Sequence, residues 1–355
     1  MYIKAMDKKT VMYLRKKKGL ACVTKKNIIS GNIKIIGRIG EESKNGEVMK
    51  ACLIDKKIKI ARSGSKVNKK CSYNVAVKKI PLEDDEFEMY KTPESKKTLN
   101  KSNLFSELYF LKLVNRLVDQ KICMNLPLFF NYFVCDKCNF NNNKIILSHF
   151  PGVTKCVYVI SELADYTLKI WLDEKKRSRQ EILSAYLQIF MGLYCIKKYF
   201  NIWHHDLHGD NILVKKVTPG GCWKYKVGEN NILIPNYGFI FIIWDFGYSR
   251  IPGKIEPSGL NWLHKNEPEP LGDYHRITNW VHKTGKLIKM KIGNTVIRRH
   301  IGSIIYEEIE NILEISASQR DIVLNLSSIV SIPDTHILGT FNTDAKLNTK
   351  DLSIF

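Results

Sequence analysis

The stretch "IWHHDLHGDNILV" (residues 202–214) sets three histidines, two aspartates and an asparagine between apolar flanks. Such a density of polar groups is tolerated in a folded protein only where each group has a partner or a task. Asp206 and Asn211 are five residues apart, and a further carboxylate follows at Asp245 in "WDFGYSR" (244–250). The stretch therefore predicts a rigid polar loop with a chemical role.

The residue types in this loop suit phosphate chemistry. Two carboxylates and one amide oxygen are hard ligands, which Mg²⁺ prefers and shares with substrate phosphates. A carboxylate outside the metal shell can accept a proton from an attacking hydroxyl. Upstream, "VAVK" (75–78) places Lys78 in an apolar strand, where its ammonium needs an anion. Glu107, on a predicted amphipathic helix, and the phosphates of a nucleotide are the candidate partners.

Composition sets the broad class. With 355 residues, 44% hydrophobic and 26% charged, the chain is long and apolar enough for a sizeable core. Its apolar runs are too short for a transmembrane segment and no signal peptide is apparent, so we expect a cytoplasmic protein. The nine cysteines show no zinc-site spacing and are expected to be reduced. A net charge of +21 indicates attraction to polyanions or acidic substrates.

Hydrophobic periodicity orders the elements along the chain. Strand-like runs fill residues 33–80, a charged loop is predicted over 81–101, and a helix over 102–118. Two more strands follow before a helix over 178–200, where Ser178 and Glu181 have capping-box spacing. A β-hairpin insert is predicted at 217–238 and a helical region at 271–330. The predicted divisions are a basic extension (1–30), a nucleotide-binding lobe (31–162), a catalytic lobe (163–335) and a polar tail (336–355).

The set "VAVK", a helix glutamate, "HHDLHGDN" and "DFG" resembles the eukaryotic-type protein kinase superfamily. The order and approximate spacing match over about residues 33–280. The insert and the loose ends are more similar to the Ser/Thr kinases of large DNA viruses such as iridoviruses. The resemblance implies an α+β, bilobal kinase-like fold, with a β-rich N-lobe and a mostly helical C-lobe that carries the β-hairpin insert. It also implies ATP and Mg²⁺ as cofactors and a protein substrate, in the cytoplasm of a host cell or in a virion.

The resemblance also implies roles for residues of the catalytic lobe. Asp206 would be the catalytic base, while Asn211 and Asp245 would hold Mg²⁺. His204 would support the loop, and Asp273 would grip it from a helix.

Further residues would bind the nucleotide. Lys78 would hold its phosphates and Glu107 would hold Lys78. Val48 and Ala76 would pack on the adenine, and the backbone of Glu162 and Ala164 would bond its edge. Gly40 and Gly46 would belong to a phosphate-covering loop in "IGRIGEESKNGEV" (36–48), for which an ordinary hairpin turn is the alternative.

Departures from the family pattern leave alternatives open. His208, which we count among the catalytic residues, replaces the lysine that neutralises the transferring phosphate. This replacement and the short segment after Asp245 favour a small-molecule phosphotransferase similar to aminoglycoside phosphotransferases as the second hypothesis. A basic pseudokinase or scaffold that binds nucleic acid is the third. No local feature decides between Ser/Thr and Tyr as the acceptor.

Overall fold

The computed structural model describes residues 28–29, 33–43, 46–54, 71–91, 102–140, 143–174, 177–256, 271–291 and 296–348. The chain divides into two compact units. We call residues 3–94 and 128–163 the sheet unit, and residues 95–127 and 164–355, together with Met1–Tyr2, the helical unit. Of the predicted extension 1–30, only Ile28–Ile29 lies within the described residues.

The described part of the chain is α+β and is compatible with a kinase-like fold. Its strands are β1 Ile28–Ile29, β2 Ile33–Ser43, β3 Gly46–Ile54, β4 Cys71–Leu82, β5 Phe129–Cys135, β6 Lys155–Glu162, β7 Tyr166–Thr167, β8 Ile212–Lys216, β9 Cys222–Val227, β10 Asn230–Pro235, β11 Phe239–Ile243 and β12 Ile337–Asn342. Its helices are α1 Asp84–Lys91, α2 Asn103–Asp119, α3 Lys144–His149, α4 Leu168–Glu174, α5 Arg179–Phe200, α6 Gly272–Lys291, α7 Val296–Ile315 and α8 Gln319–Ser328.

The described residues of the sheet unit form a six-stranded sheet with the order β1-β2-β3-β4-β6-β5. All of its neighbouring strands are antiparallel. Val75 and Val77 of β4 and Val157 of β6 are fully buried, as expected for β-branched residues in central strands. This burial fixes the register of β4, because a slip of one residue would exchange its two faces.

Residues 81–101 were predicted to form a loop, and this prediction was wrong for its first half. Helix α1 occupies Asp84–Lys91, and its first turn carries Asp84, Asp85 and Glu86. Acidic groups stabilise the positive end of a helix dipole, so the charge density that suggested a loop favours a helix start. Lys155 of β6 also contacts Asp84 at 2.8 Å. Residues 92–101 lie outside the described part of the chain.

The expectation of reduced cysteines was also wrong for the sheet unit. Cys52 pairs with Cys71, and Cys138 with Cys156, as disulfides with Cα–Cα distances of 5.6 and 5.9 Å. Strand pairing explains the first of these contacts, because Cys52 and Cys71 lie on the adjacent strands β3 and β4. Sequence spacing alone does not reveal such cross-strand neighbours.

Two long helices of the helical unit were predicted and are confirmed. Helix α2 spans Asn103–Asp119, and the Ser102 side chain accepts the Phe105 amide at its start. Helix α5 spans Arg179–Phe200, with the predicted capping box between Ser178 and Glu181. The middle of α5 is buried on nearly all sides, so it forms a core of this unit.

Among its described residues, the helical unit also contains two three-stranded sheets, with the orders β11-β8-β7 and β10-β9-β12. The predicted hairpin insert is confirmed by the antiparallel pairing of β9 with β10. The predicted tail is more ordered than expected, since β12 pairs in parallel with β9. We call β9, β10 and β12 the insert–tail sheet.

Candidate active site

Strand pairing brings Asn211 and Asp245 to the same end of one sheet. Ile212, the first residue of β8, is the antiparallel partner of Ile243, the last residue of β11. One step further, the Trp244 amide donates to the Asn211 carbonyl at 2.8 Å. Asn211 and Asp245 therefore emerge side by side, although they are far apart in sequence.

Asp206 joins them through the side chain of Asn211. The Asn211 amide nitrogen donates to the backbone carbonyl of Asp206 at 2.8 Å and to its carboxylate at 2.9 Å. Because the nitrogen is committed to Asp206, the amide oxygen is the atom that Asn211 can offer to a cation.

Asp273, at the start of α6, holds the backbone of this loop. Its two carboxylate oxygens accept the amide hydrogens of His204 at 2.7 Å and His205 at 2.8 Å. The expectation that Asp273 grips the loop is thus confirmed. His205 has a φ of 64° and Asp245 a φ of 60°. The backbone is therefore left-handed immediately before Asp206 and at Asp245 itself. Non-glycine residues adopt this conformation where surrounding contacts impose it, which is common at functional sites.

Aromatic and cationic side chains also pack at the start of the loop. The Lys197 ammonium lies 3.4 Å from the centre of the Trp203 ring, and the His205 ring stacks on Trp203 at 5.8 Å. Burial lowers the pKa of Lys197 to about 8, against the opposing effect of Asp273. Neither Trp203 nor Lys197 was identified from the sequence.

His208 contacts the predicted base. Its Nε2 lies 3.7 Å from Asp206 Oδ2. The Asp206 carboxylate raises the pKa of His208, although burial opposes the shift. Burial alone would raise the pKa of Asp206, but His208, His204 and Asn211 outweigh it and lower the pKa below its ordinary value. Asp206 is therefore ionised at neutral pH, as a proton acceptor must be.

Glu107 of α2 is buried in the same unit, close to the segment that follows Asp245. A Cβ atom added at Gly247 would lie 3.3 Å from Asp245 Oδ1 and 3.9 Å from Glu107 Oε2. The helical unit thus gathers Glu107 with Asp206, His208, Asn211 and Asp245. Lys78 belongs to the sheet unit, and its predicted pairing with Glu107 stays a prediction.

In the sheet unit, Val48, Ala76 and Lys78 share one face of the sheet. Val48 is the direct cross-strand partner of Lys78, and Ala76 is two residues before Lys78 on β4. Lys79 faces the other side, where its ammonium contacts Glu47 at 3.2 Å, the Phe140 ring at 3.8 Å and the Asn139 carbonyl. Burial lowers the pKa of Lys79, partly offset by Glu47.

The remaining predicted residues of the nucleotide site lie on β2, at the start of β3, and at or just after the end of β6. Gly46 has a φ of 132°, and a Cβ there would lie 2.7 Å from the Lys79 carbonyl, so this position requires glycine. Gly40, also at positive φ, lies on β2. The Glu162 amide donates to the Leu128 carbonyl at 3.0 Å, and the Glu162 carbonyl accepts from the Ser161 hydroxyl at 3.4 Å, so its contact with adenine stays a prediction. Ala164, two residues after β6, is half-buried.

Trp280 is a neighbour of the loop that the sequence analysis missed. A Cβ added at Gly209 would lie 1.9 Å from a carbon of the Trp280 ring, so the ring packs directly on this glycine. Trp280 follows Asp273 by seven residues, two helical turns, which places both on one face of α6. That spacing was the only available signal.

The donor set fits Mg²⁺. The Asn211 amide oxygen and the Asp245 carboxylate are hard oxygen ligands on neighbouring strand ends. Two protein ligands suit Mg²⁺ because this ion keeps several waters and shares substrate phosphates.

The chain is similar in sequence to proteins of large DNA viruses that are named as kinases. Over 142 residues the chain is 35% identical to a frog virus 3 protein named as an inferred serine/threonine-protein kinase, and the match covers 39% of this chain and 16% of that protein. Over 150 residues it is 30% identical to an invertebrate iridescent virus 6 protein named likewise, covering 40% of this chain and 27% of that protein. An Acanthamoeba polyphaga mimivirus protein of similar name is 33% identical over 69 residues, 18% of this chain and 15% of that protein.

The chain is thus related to viral kinase-like proteins, and it spans less than a third of the length of these relatives. No protein-family model matches it. Within the described residues, no helix is both long enough and apolar enough to cross a membrane.

Proposed function

We propose that the chain is an ATP-dependent protein kinase that transfers the γ-phosphoryl group to a serine or threonine hydroxyl. The observation that carries the proposal is the convergence of Asp206, Asn211 and Asp245 in the helical unit. The names of the viral relatives point to the same chemistry.

In the proposed reaction, Asp206 accepts the proton of the acceptor hydroxyl while that oxygen attacks the γ-phosphorus. The bond from this phosphorus to the β–γ bridging oxygen breaks, and ADP leaves with the bond electrons. Asn211 and Asp245 would hold Mg²⁺, which when bound neutralises charge on the phosphates. We assign Lys78 to the α- and β-phosphates and His208 to the neighbourhood of the reacting groups, beside Asp206.

A small-molecule phosphotransferase is the second candidate, favoured by histidine rather than lysine at position 208. Both candidates use the same base, so only the acceptor separates them. Purified protein would be incubated with Mg²⁺ and γ-labelled ATP, with dephosphorylated casein in one reaction and kanamycin in another.

We expect label on casein serine or threonine, identified by phosphoamino-acid analysis. Label on kanamycin alone would replace the protein-kinase proposal with the second candidate. Absence of label from both acceptors and from the protein itself would contradict a phosphotransferase.

A further inference from the structure

A chain of alternating charges runs from the surface of α4 to the proposed base. Lys169 Nζ lies 3.8 Å from Asp210 Oδ2, and Asp210 Oδ2 lies 3.8 Å from His208 Nδ1. On the other side of the ring, His208 Nε2 lies 3.7 Å from Asp206 Oδ2. The imidazole is therefore placed between two carboxylates, one of which is the proposed base.

Backbone hydrogen bonds fasten the same residues. The Asp210 amide donates to His208 Nδ1 at 3.3 Å, and the Lys169 amide donates to the Gly209 carbonyl at 3.2 Å. This amide contact requires a neutral ring. In the protonated ring both nitrogens carry hydrogens, so Nδ1 faces the Asp210 carboxylate and Nε2 faces the Asp206 carboxylate. The Trp280 ring covers Gly209, so the short path from His208 to Asp210 has little freedom to move.

Stability alone does not account for this arrangement. The side chains of Lys169 and Asp210 are each 50% exposed, and exposed ion pairs contribute little to folding. The side chains of Asp206 and His208 are only about a third exposed, so exposure decreases along this row of charges toward the reacting groups. The Lys169–Asp210 pair is therefore better explained by an effect on the orientation of the neighbouring His208 ring.

We propose that Asp210, held by Lys169, is a positioning residue that keeps the His208 ring oriented toward Asp206 during phosphate transfer. The inference rests on the proposed function. Its residues all belong to the helical unit.

The test is a double-mutant cycle on the full chain, with γ-labelled ATP, Mg²⁺ and dephosphorylated casein as probes. The variants are Asp210→Asn, His208→Lys and the two combined. Lysine carries its charge on a flexible stem and has no ring to orient, so it removes the feature on which Asp210 acts.

We expect Asp210→Asn to lower kcat about tenfold or more, with KM for ATP and the melting temperature unchanged. In the His208→Lys background the same change should have no further effect on kcat. Lys169→Met should lower kcat in the same direction by a smaller factor. The matched control is Asp84→Asn, which removes another exposed Lys–Asp contact, to Lys155, in the sheet unit.

Wild-type kcat in Asp210→Asn would overturn the inference. So would an equal loss in both backgrounds, because Asp210 would then act independently of the ring. A fall in kcat that is accompanied by a lower melting temperature would assign Asp210 a purely structural role. A wild-type protein that transfers no phosphate to any acceptor would overturn the proposed function itself, which separates the two failures.

Discussion

The loop segment 203–211 and the insert–tail sheet lie in one unit, yet different contacts hold them. The loop is fixed by polar groups aimed at single atoms, such as the Asp273 carboxylate on two consecutive amides. The insert–tail sheet is fixed by strand pairing and by apolar packing, with Tyr225 stacked on Phe341 at 4.9 Å.

The difference indicates how each region contributes. Directed polar contacts and left-handed residues position groups, and they are costly where nothing requires them. Apolar packing between paired strands contributes mainly stability. Changes in the sheet should therefore affect folding, and changes in the loop should affect catalysis.

The largest effect on stability is expected for Phe341→Ala in β12. Phe341 is buried against Tyr225, and removing a buried aromatic ring costs about 3 kcal/mol of the free energy of unfolding. Urea unfolding measures this loss, while kcat of the folded protein should stay at the wild-type value. Ile337→Ala is the control, because Ile337 on the same strand is 41% exposed. Equal losses for both variants would contradict the packing role of Phe341.

The next largest effect, a loss of activity, is expected for Gly209→Ala in the loop. The added methyl group would overlap the Trp280 ring, so the loop must shift, and displacement of this size lowers kcat by up to about 10²-fold. Adding Trp280→Leu should restore part of the activity by making room.

The matched control for Gly209→Ala is Gly339→Ala in β12, where a Cβ would meet the Phe341 ring at an ordinary 3.6 Å. Activity assays and thermal melts on both variants make the comparison. Full activity in Gly209→Ala would show that the loop tolerates displacement.

The smallest effect is expected for Asp344→Asn, which should change how the stability of the insert–tail sheet depends on pH. Burial alone would raise the pKa of Asp344, but hydrogen bonds from Lys198 and from the Gly228 amide lower it below its ordinary value. A carboxyl with a depressed folded-state pKa stabilises the fold above its unfolded pKa of about 3.9, and this contribution disappears as pH falls through the folded-state pKa.

The melting temperatures of wild type and Asp344→Asn should therefore differ at pH 7 and converge once the pH falls below the folded-state pKa of Asp344. At pH 7 the difference in stability should be less than about 1 kcal/mol, because the pair is partly exposed. A gap that is the same at both pH values would show that the charge of Asp344 is not its cause.

The two regions also differ in how far their sequences predict them. The loop was predictable because its chemistry is concentrated in one short motif and because Asp273 follows at the start of a recognisable helix. The hairpin of β9 and β10 was predictable from local turn residues. The addition of β12 to this sheet was not, because parallel pairing between residues 222–227 and 337–342 leaves no local pattern.

The same reasoning explains the other errors. The Cys52–Cys71 disulfide and the Trp280–Gly209 contact depend on which elements become neighbours, which hydrophobic periodicity does not specify. Helix α1 was missed because its charged residues were interpreted as a solvated loop rather than as favourable charges at a helix start.

The most direct test of the central claim is the rate of phosphate transfer in Asp206→Asn. We expect a rate about 10²- to 10⁴-fold below wild type with Mg²⁺ and γ-labelled ATP, because an amide cannot accept the hydroxyl proton. The melting temperature should stay unchanged, and Asp84→Asn should transfer at the wild-type rate. Transfer by folded Asp206→Asn at the wild-type rate would contradict the assignment of Asp206 as the base.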